Sequence, residues 1–347
     1  MKIGIIGVGF MGMVHYLTYQ QTPGARVVAL CDQSPERLAG DWTGIRGNFG
    51  PPGEQMDLSG IATFQDAEQL IASAEVEVVD ICLPPAAHAE VAVRALAAGK
   101  HVLCEKPMAL SEADCDTMLA AAEASGRTLL IGQVLPYFPE YAWALREVRS
   151  GQHGRLLGGE FKRVISDPQW MAGYWDAAKV GGPMLDLHIH DAHFIRLLFG
   201  EPTRVTSRGS LRNRLPEHWC SLIEFDVPGL TAQVTSGVIA QPSRPFLHGF
   251  EIRLEQATLA FEFAVTRSAD GQDQPGYHTA PTLLDEHGAH LIELGDGDPM
   301  NAFAAELAHA VNVFEGRTTP DCLDARLAGD AIRLCEQQQA SLRESTP

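Results

Sequence analysis

The chain has 347 residues, 45% of them apolar, and its 44 acidic and 26 basic residues give a formal charge of −18. That balance argues against nucleic acid and anionic membranes as partners, and no apolar run reaches the ~18 residues a membrane helix needs. The length predicts more than one domain, each with residues enough for a core. The seven cysteines are odd in number and include no Cys-x-x-Cys, so free thiols in a reducing compartment are expected. With no leader-like segment before the first apolar run, a cytoplasmic protein is expected.

Residues 3–6 read as a short buried strand. The strand breaks into Gly7-x-Gly9-x-x-Gly12, with Phe10 and Met11 inside the motif, and passes into a helical pattern over 11–20. Gly7 allows a tight turn, Gly9 lets a pyrophosphate approach the backbone, and Gly12 lets helix and strand pack closely. The helix aims free N–H groups at the phosphates. A second apolar run, 26–31, ends at Asp32, where a carboxylate can accept from an adenosine ribose. Asp32 repels a 2′-phosphate and so favours NAD over NADP; Arg37 is near enough to oppose that preference.

Strand-like runs at 3–6, 27–30, 76–83, 101–103 and 128–131 alternate with helix-like runs at 11–20, 35–39, 66–72, 87–98 and 112–124. Such alternation predicts an α/β Rossmann domain over 1–133, a parallel sheet with helices on both faces. Residues 48–60, rich in Gly, Pro and polar residues, read as a surface loop. Leu83 and Pro84 end one strand at the rim where such sheets bind ligands. His88 opens the next helix and bonds either a ribose or a neighbouring loop. Glu105 and Lys106 end another strand at that rim, followed by Pro107. Lys106 there either stabilises charge on a substrate oxygen or forms a solvated pair with Glu105.

The Gly7–Gly12 turn, the segment from His88 to Cys104-Glu105-Lys106-Pro107, and a later Gly-Gly-x-x-x-Asp-x-x-x-His resemble the Gfo/Idh/MocA oxidoreductases, the family of glucose–fructose oxidoreductase and inositol dehydrogenase. The resemblance runs over most of the chain. It implies a commonly cis Lys106–Pro107 bond, Lys106 beside the nicotinamide, and a catalytic set of Lys106, Asp186 and His190. Leu83, Pro84, His88 and Glu105 join the glycine turn and Asp32 as expected cofactor contacts.

From residue 134 onward the expectation is a substrate-binding and oligomerisation domain, α+β, with a large, mainly antiparallel sheet over 134–347. Strand-like runs at 156–164, 205–211, 219–225, 230–238, 250–254, 258–263 and 290–294 support it. Tyr137, expected to contact the substrate, leads into a helix over 140–149, and Pro136 stands where many relatives carry an arginine. Asp186 and His190 are four apart and share one helical face, where the carboxylate orients an imidazole that exchanges a proton with a substrate hydroxyl. His193 would extend that face into a metal set with Asp186 and His190. No metal is expected, because the family's redox chemistry needs none, and His188 is assigned to the substrate pocket. Trp170, Tyr174 and Trp175 either stack on a sugar ring or fill the core. Helices over 302–314 and 322–339 are expected to close this domain, with a frayed tail after 343.

These readings converge on an NAD(P)-dependent dehydrogenase or reductase of a sugar, polyol or sugar derivative, as a homodimer or homotetramer. Two alternatives stay open: a glycoside hydrolase that uses NAD transiently, and a sensor or scaffold that binds the dinucleotide without turnover.

Overall fold

The structure is a computed structural model and describes every residue except Asn48, Trp170, Ala172, Asp296, Thr346 and Pro347. The chain divides into two compact units, Met1–Tyr137 with Asp298–Gly329, and Phe138–Gly297 with Asp330–Pro347. The boundary expected after residue 133 thus falls slightly later, and the chain afterwards returns to the first unit.

In the first unit, β1 (Lys2–Ile6), α1 (Phe10–Tyr19), β2 (Arg26–Cys31), α2 (Pro35–Leu38), β3 (Ala62–Phe64), α3 (Ala67–Ala72), β4 (Val78–Ile81), α4 (His88–Ala97), β5 (His101–Glu105), α5 (Glu112–Ser125) and β6 (Leu129–Gly132) follow in order. The strands form one parallel sheet in the order β3-β2-β1-β4-β5-β6. The order reverses between β1 and β4, the crevice where doubly wound folds bind nucleotides. β4 is buried throughout and β1 nearly so, which accounts for their unbroken apolar runs. β3 was not foreseen; its three residues are mostly exposed and carry no apolar pattern. Ahead of it, Trp42 is fully buried edge-on against Tyr16 and anchors the segment that carries the expected 48–60 loop.

The second unit contains α6 (Pro139–Ser150), β7 (Leu156–Ser166), α7 (Gly182–Asp186), α8 (Ile189–Phe199), β8 (Pro202–Arg212), β9 (Leu215–Phe225), β10 (Thr231–Ile239), β11 (Phe246–Leu254), β12 (Thr258–Arg267), β13 (Asp273–Asp285) and β14 (Gly288–Leu291). Its eight strands run β14-β13-β12-β11-β7-β10-β9-β8, antiparallel except for the parallel β7–β10 pair. Tyr141 of α6 packs edge-on against Phe194 of α8, Phe250 of β11 and Phe261 of β12, which seats both helices on the sheet. β13 was missed because it opens with seven exposed residues that include Pro275 and Gly276.

α9 (Pro299–Phe314) and α10 (Ala325–Ser345) complete the chain. α9 does not close the second unit as expected. Leu307, Ala310 and Val311 share a core with Ile3, Ile5 and Leu30 of the first sheet. An amphipathic pattern shows that a helix has a buried face, not which sheet it covers. All seven cysteines are free thiols. Among the described residues, no helix is long and apolar enough to cross a membrane.

Candidate active site

The glycine turn has the geometry that its spacing implies. Gly7 has φ +98°, and a Cβ there would stand 2.5 Å from the Cys82 carbonyl oxygen. A Cβ on Gly12 would stand 1.9 Å from the Gly7 carbonyl oxygen, so only glycine lets α1 pack this closely. A Cβ on Gly9 would meet nothing within 4 Å. That free space lies at the start of α1, whose N-terminus has no side-chain cap and no acid in its first turn. Phe10 and Met11 open that turn, with N–H groups that a helix leaves unpaired at its start. Such an open, uncapped cradle fits the phosphates of a dinucleotide. At the end of β2, Asp32 accepts from the Val8 N–H at 2.7 Å and the Ser34 N–H at 2.9 Å, and lies 3.5 Å from Arg37. Val8 was not singled out in the sequence; its backbone N–H, not its side chain, ties the acid to the turn.

Leu83 and Pro84 stand just past β4, with Pro84 exposed. His88 does not offer a nitrogen to a ribose. Its ring is fully buried, with Nδ1 2.8 Å from the Pro107 carbonyl and Nε2 2.8 Å from the Leu83 carbonyl. Burial pulls its imidazole below the ordinary value, against the pull of those two carbonyls. His88 therefore staples the loop after β4 to the loop after β5. Glu105 also turns inward. It is 6% exposed, one oxygen lies 3.1 Å from His15 Nε2, and the other accepts from the Lys106 N–H at 3.0 Å. The expected solvated Glu105–Lys106 pair is absent in that form. Lys106 alone is partly open, between buried Glu105 and buried Pro107, and the Lys106–Pro107 peptide is cis.

In the second unit, residues 181–190 are buried except for Asp186 and His190, which are partly open. The expected single helix is broken: α7 ends at Asp186 and α8 begins at Ile189. Leu187 and His188 keep right-handed backbone angles, so the four-residue spacing still brings Asp186 and His190 to one side. His193 is fully buried and does not extend their open face.

His188, assigned from sequence to the substrate pocket, lies in the interior. Its Nε2 donates to Gln338 Oε1 at 2.9 Å, and its ring meets Trp219 edge-on. Burial lowers its pKa, with Asp191 and Gln338 opposing. Asp191, next to His190, accepts from Arg163 Nε at 2.7 Å and Nη2 at 3.1 Å. Arg163 Nη2 also reaches the Tyr141 hydroxyl at 3.4 Å, which in turn is hydrogen-bonded to His248 Nδ1 at 3.1 Å. Burial and then Arg163 hold His248 neutral, well below the ordinary histidine range. Sequence reading found neither Arg163 nor Gln338, because each comes from a distant strand or helix.

Of the remaining expected substrate residues, Tyr137 belongs to the first unit, and Tyr174 and Trp175 border one cavity of the second. The Tyr137 hydroxyl is bonded to His309 Nδ1 at 2.5 Å within the first unit. Tyr174 is 2% exposed, meets the Trp175 ring edge-on and borders the same cavity as Trp175. Trp175 lines a cavity of about 430 Å³ with Asp167, Met171 and Arg212. Its Nε1 donates to Asp167 at 3.1 Å, and the Arg212 guanidinium lies over its ring at 4.4 Å while bonding Asp167 at 2.6 Å. Trp170 lies outside the described residues.

Residues 1–133 match the oxidoreductase family model described as an NAD-binding Rossmann fold, and residues 141–260 match the GFO/IDH/MocA C-terminal domain. D-apiose dehydrogenase of Paraburkholderia graminis is 28% identical over 214 residues, 61% of this chain and 53% of that protein. Inositol 2-dehydrogenase 2 of Saccharopolyspora erythraea is 31% identical over 203 residues, 58% of this chain and 54% of that protein. The chain thus spans about half the length of these curated relatives. Among solved structures, levoglucosan dehydrogenase in complex with NADH and levoglucosan superposes with a TM-score of 0.76 at 20% identity, covering 100% of this chain and 98% of that one, which shows a shared fold. With both domain models matched in order along one chain, the protein belongs to the Gfo/Idh/MocA oxidoreductase family.

Proposed function

We propose that the protein is an NAD(P)-dependent oxidoreductase acting on a secondary alcohol or ketone of a sugar, polyol or sugar derivative. The observation that carries this reading is the Asp186–His190 pair, alone partly open in a buried stretch and four residues apart. His190 is the proton-exchanging group for the substrate hydroxyl, and Asp186 orients its ring. Lys106, by the family resemblance, stabilises negative charge on a substrate oxygen. Gly7, Gly9, Phe10, Met11, Gly12 and Asp32 hold the dinucleotide, which when bound supplies the hydride acceptor or donor. NAD is the preferred form, because Asp32 ends β2 with both carboxylate oxygens bonded by backbone N–H groups. Trp175 offers a ring face to sugar C–H groups, with Asp167 and Arg212 beside it for hydroxyls. Relatives named for D-apiose and inositol support this substrate class.

We assign the protein to the cytoplasm as a homodimer or homotetramer. Leu157, Leu222, Tyr277, Leu284 and Leu291 are exposed apolar side chains on strands of the second sheet, which a second copy could cover. The test is a sugar and polyol panel with NAD, followed at the nicotinamide absorbance, with glycosidase substrates run beside it. Net NADH formation with a polyol or sugar supports the reading. Glycoside cleavage without net NADH, or no turnover of any substrate, contradicts it.

A further inference from the structure

The first unit buries a polar cluster that the reading above leaves unused. His15 of α1 is fully buried. Its Nδ1 lies 2.8 Å from Asp80 Oδ2 on β4, and its Nε2 lies 3.1 Å from Glu105 Oε1 at the end of β5. Nδ1 is hydrogen-bonded to Asp80, whereas Nε2 makes no hydrogen bond among the described residues and lies within ion-pair distance of Glu105. Burial opposes a charge on His15, but the charge and hydrogen bond of Asp80 override it and hold the ring well above the ordinary histidine range.

The other groups that face this ring are neutral acids. Cys82 Sγ lies 3.5 Å from His15 Nδ1, and burial pushes its thiol up to about 12. Tyr19 keeps its proton through burial and then the charge of Asp80. Glu306 of α9 is fully buried, and neither of its oxygens has a hydrogen-bond partner among the described residues. Burial and then Glu105 keep it protonated well above the usual carboxylate range, with His15 opposing. The cluster thus holds one imidazolium between two carboxylates, with uncharged acids around it.

The second oxygen of Glu105 accepts from the Lys106 N–H at 3.0 Å. We propose that His15, as an imidazolium bridging Asp80 and Glu105, is a positioning residue that fixes the end of β5 and thereby places Lys106. Loss of its proton removes the positive charge that stands between the buried Asp80 and Glu105 side chains. Glu105 is then pushed away, and the backbone of Lys106 loses its anchor. The inference rests on reading Lys106 as the group on the substrate oxygen; the brace beneath it is readable without turnover.

The test uses the full chain and two readouts. In ¹⁵N-labelled protein, with His15 assigned through His15→Gln, both ring nitrogens are expected to stay protonated above the ordinary histidine value of 6.5. The Lys106 amide shift should titrate with the same midpoint as the ring. A ring midpoint at or below 6.5, or a Lys106 amide that ignores the ring, overturns the inference. In steady-state kinetics with a substrate from the panel, kcat should fall at alkaline pH with that midpoint. His15→Gln should lower kcat about tenfold at pH 7 and remove the alkaline limb, with KM and NAD affinity within about twofold. An unchanged kcat profile in His15→Gln means that the ring only fills the core, and overturns the inference. If His15→Gln does not fold, Glu105→Gln decides. It should lower the midpoint of the ring by about one pH unit or more, and the alkaline limb of kcat with it. Midpoints that move independently overturn the inference. No turnover on any substrate with intact ring–amide coupling sinks the oxidoreductase reading alone and leaves the brace standing.

Discussion

Lys106 in the first unit and His190 in the second are each partly open between buried neighbours. Beside Lys106 is Glu105, whose buried carboxylate lies against His15; beside His190 is Asp191, whose buried carboxylate takes two bonds from Arg163. The placements are alike, and the bracing cations differ. A guanidinium stays charged at any working pH, whereas an imidazolium can lose its proton. The comparison teaches where sensitivity to pH resides: in the brace of the first unit, and not in the Arg163–Asp191 pair of the second.

The largest expected effect comes from breaking the fixed brace. Asp191→Asn leaves Arg163 buried without its anion, which should cost about 3–5 kcal/mol. Urea unfolding measures it. A loss under about 1 kcal/mol would mean that Arg163 has another anion, and the contrast between the units would fail.

Removing a tip while keeping its brace should do the reverse. Lys106→Ala should lower turnover by about a hundredfold, roughly 2.7 kcal/mol of barrier, with NAD affinity and unfolding free energy little changed. Turnover near wild type would remove Lys106 from the chemistry. Turnover lost together with stability would show that tip and brace cannot be separated.

Asp32 extends the comparison to a carboxylate braced by backbone alone, through Val8 and Ser34. NAD should bind at least tenfold tighter than NADP, roughly 1.4 kcal/mol, and Asp32→Ala should close the gap. Equal affinities in the wild type would mean that Arg37 offsets the acid.

The smallest effects are those of pH on local stability. His15 is raised when folded, so its contribution is full below the ordinary histidine value of 6.5 and is lost as pH rises through the folded value. Glu306, also raised, acts in the same direction. His188 and His248 are lowered, so their contribution is full above 6.5 and is lost as pH falls. Hydrogen exchange, corrected for its intrinsic rate, should show α1 losing protection from pH 7 to 9. It should show β11 and the start of α8 losing protection from pH 7 to 5. Each group contributes up to about tenfold per pH unit. The same trend in all three segments would erase the contrast.

Much of this was legible in the sequence where chemistry is local. Gly7, Gly9 and Gly12 act through backbone sterics within one turn, and their spacing carries that information. The i, i+4 pair Asp186–His190 survived a helix break because the two linking residues stay right-handed. What failed depended on distant partners. His88 and His188 carry nitrogens suited to a ligand, but carbonyls and a glutamine far along the chain occupy them. Tyr137 reads as a pocket residue until α9, more than 160 residues later, brings His309 to its hydroxyl. β3 and β13 lack apolar alternation because much of each faces solvent.

The most direct test of the central claim is single-turnover hydride transfer across pH for wild type, His190→Ala, Asp186→Asn and the double variant. If His190 exchanges the proton and Asp186 orients it, His190→Ala should lose about 10²–10⁴ in rate, most at low pH, and Asp186→Asn should lose less. The double variant should then be little worse than His190→Ala, because the two act as one unit. Additive losses, or a His190→Ala enzyme with near-normal rates, would contradict the account.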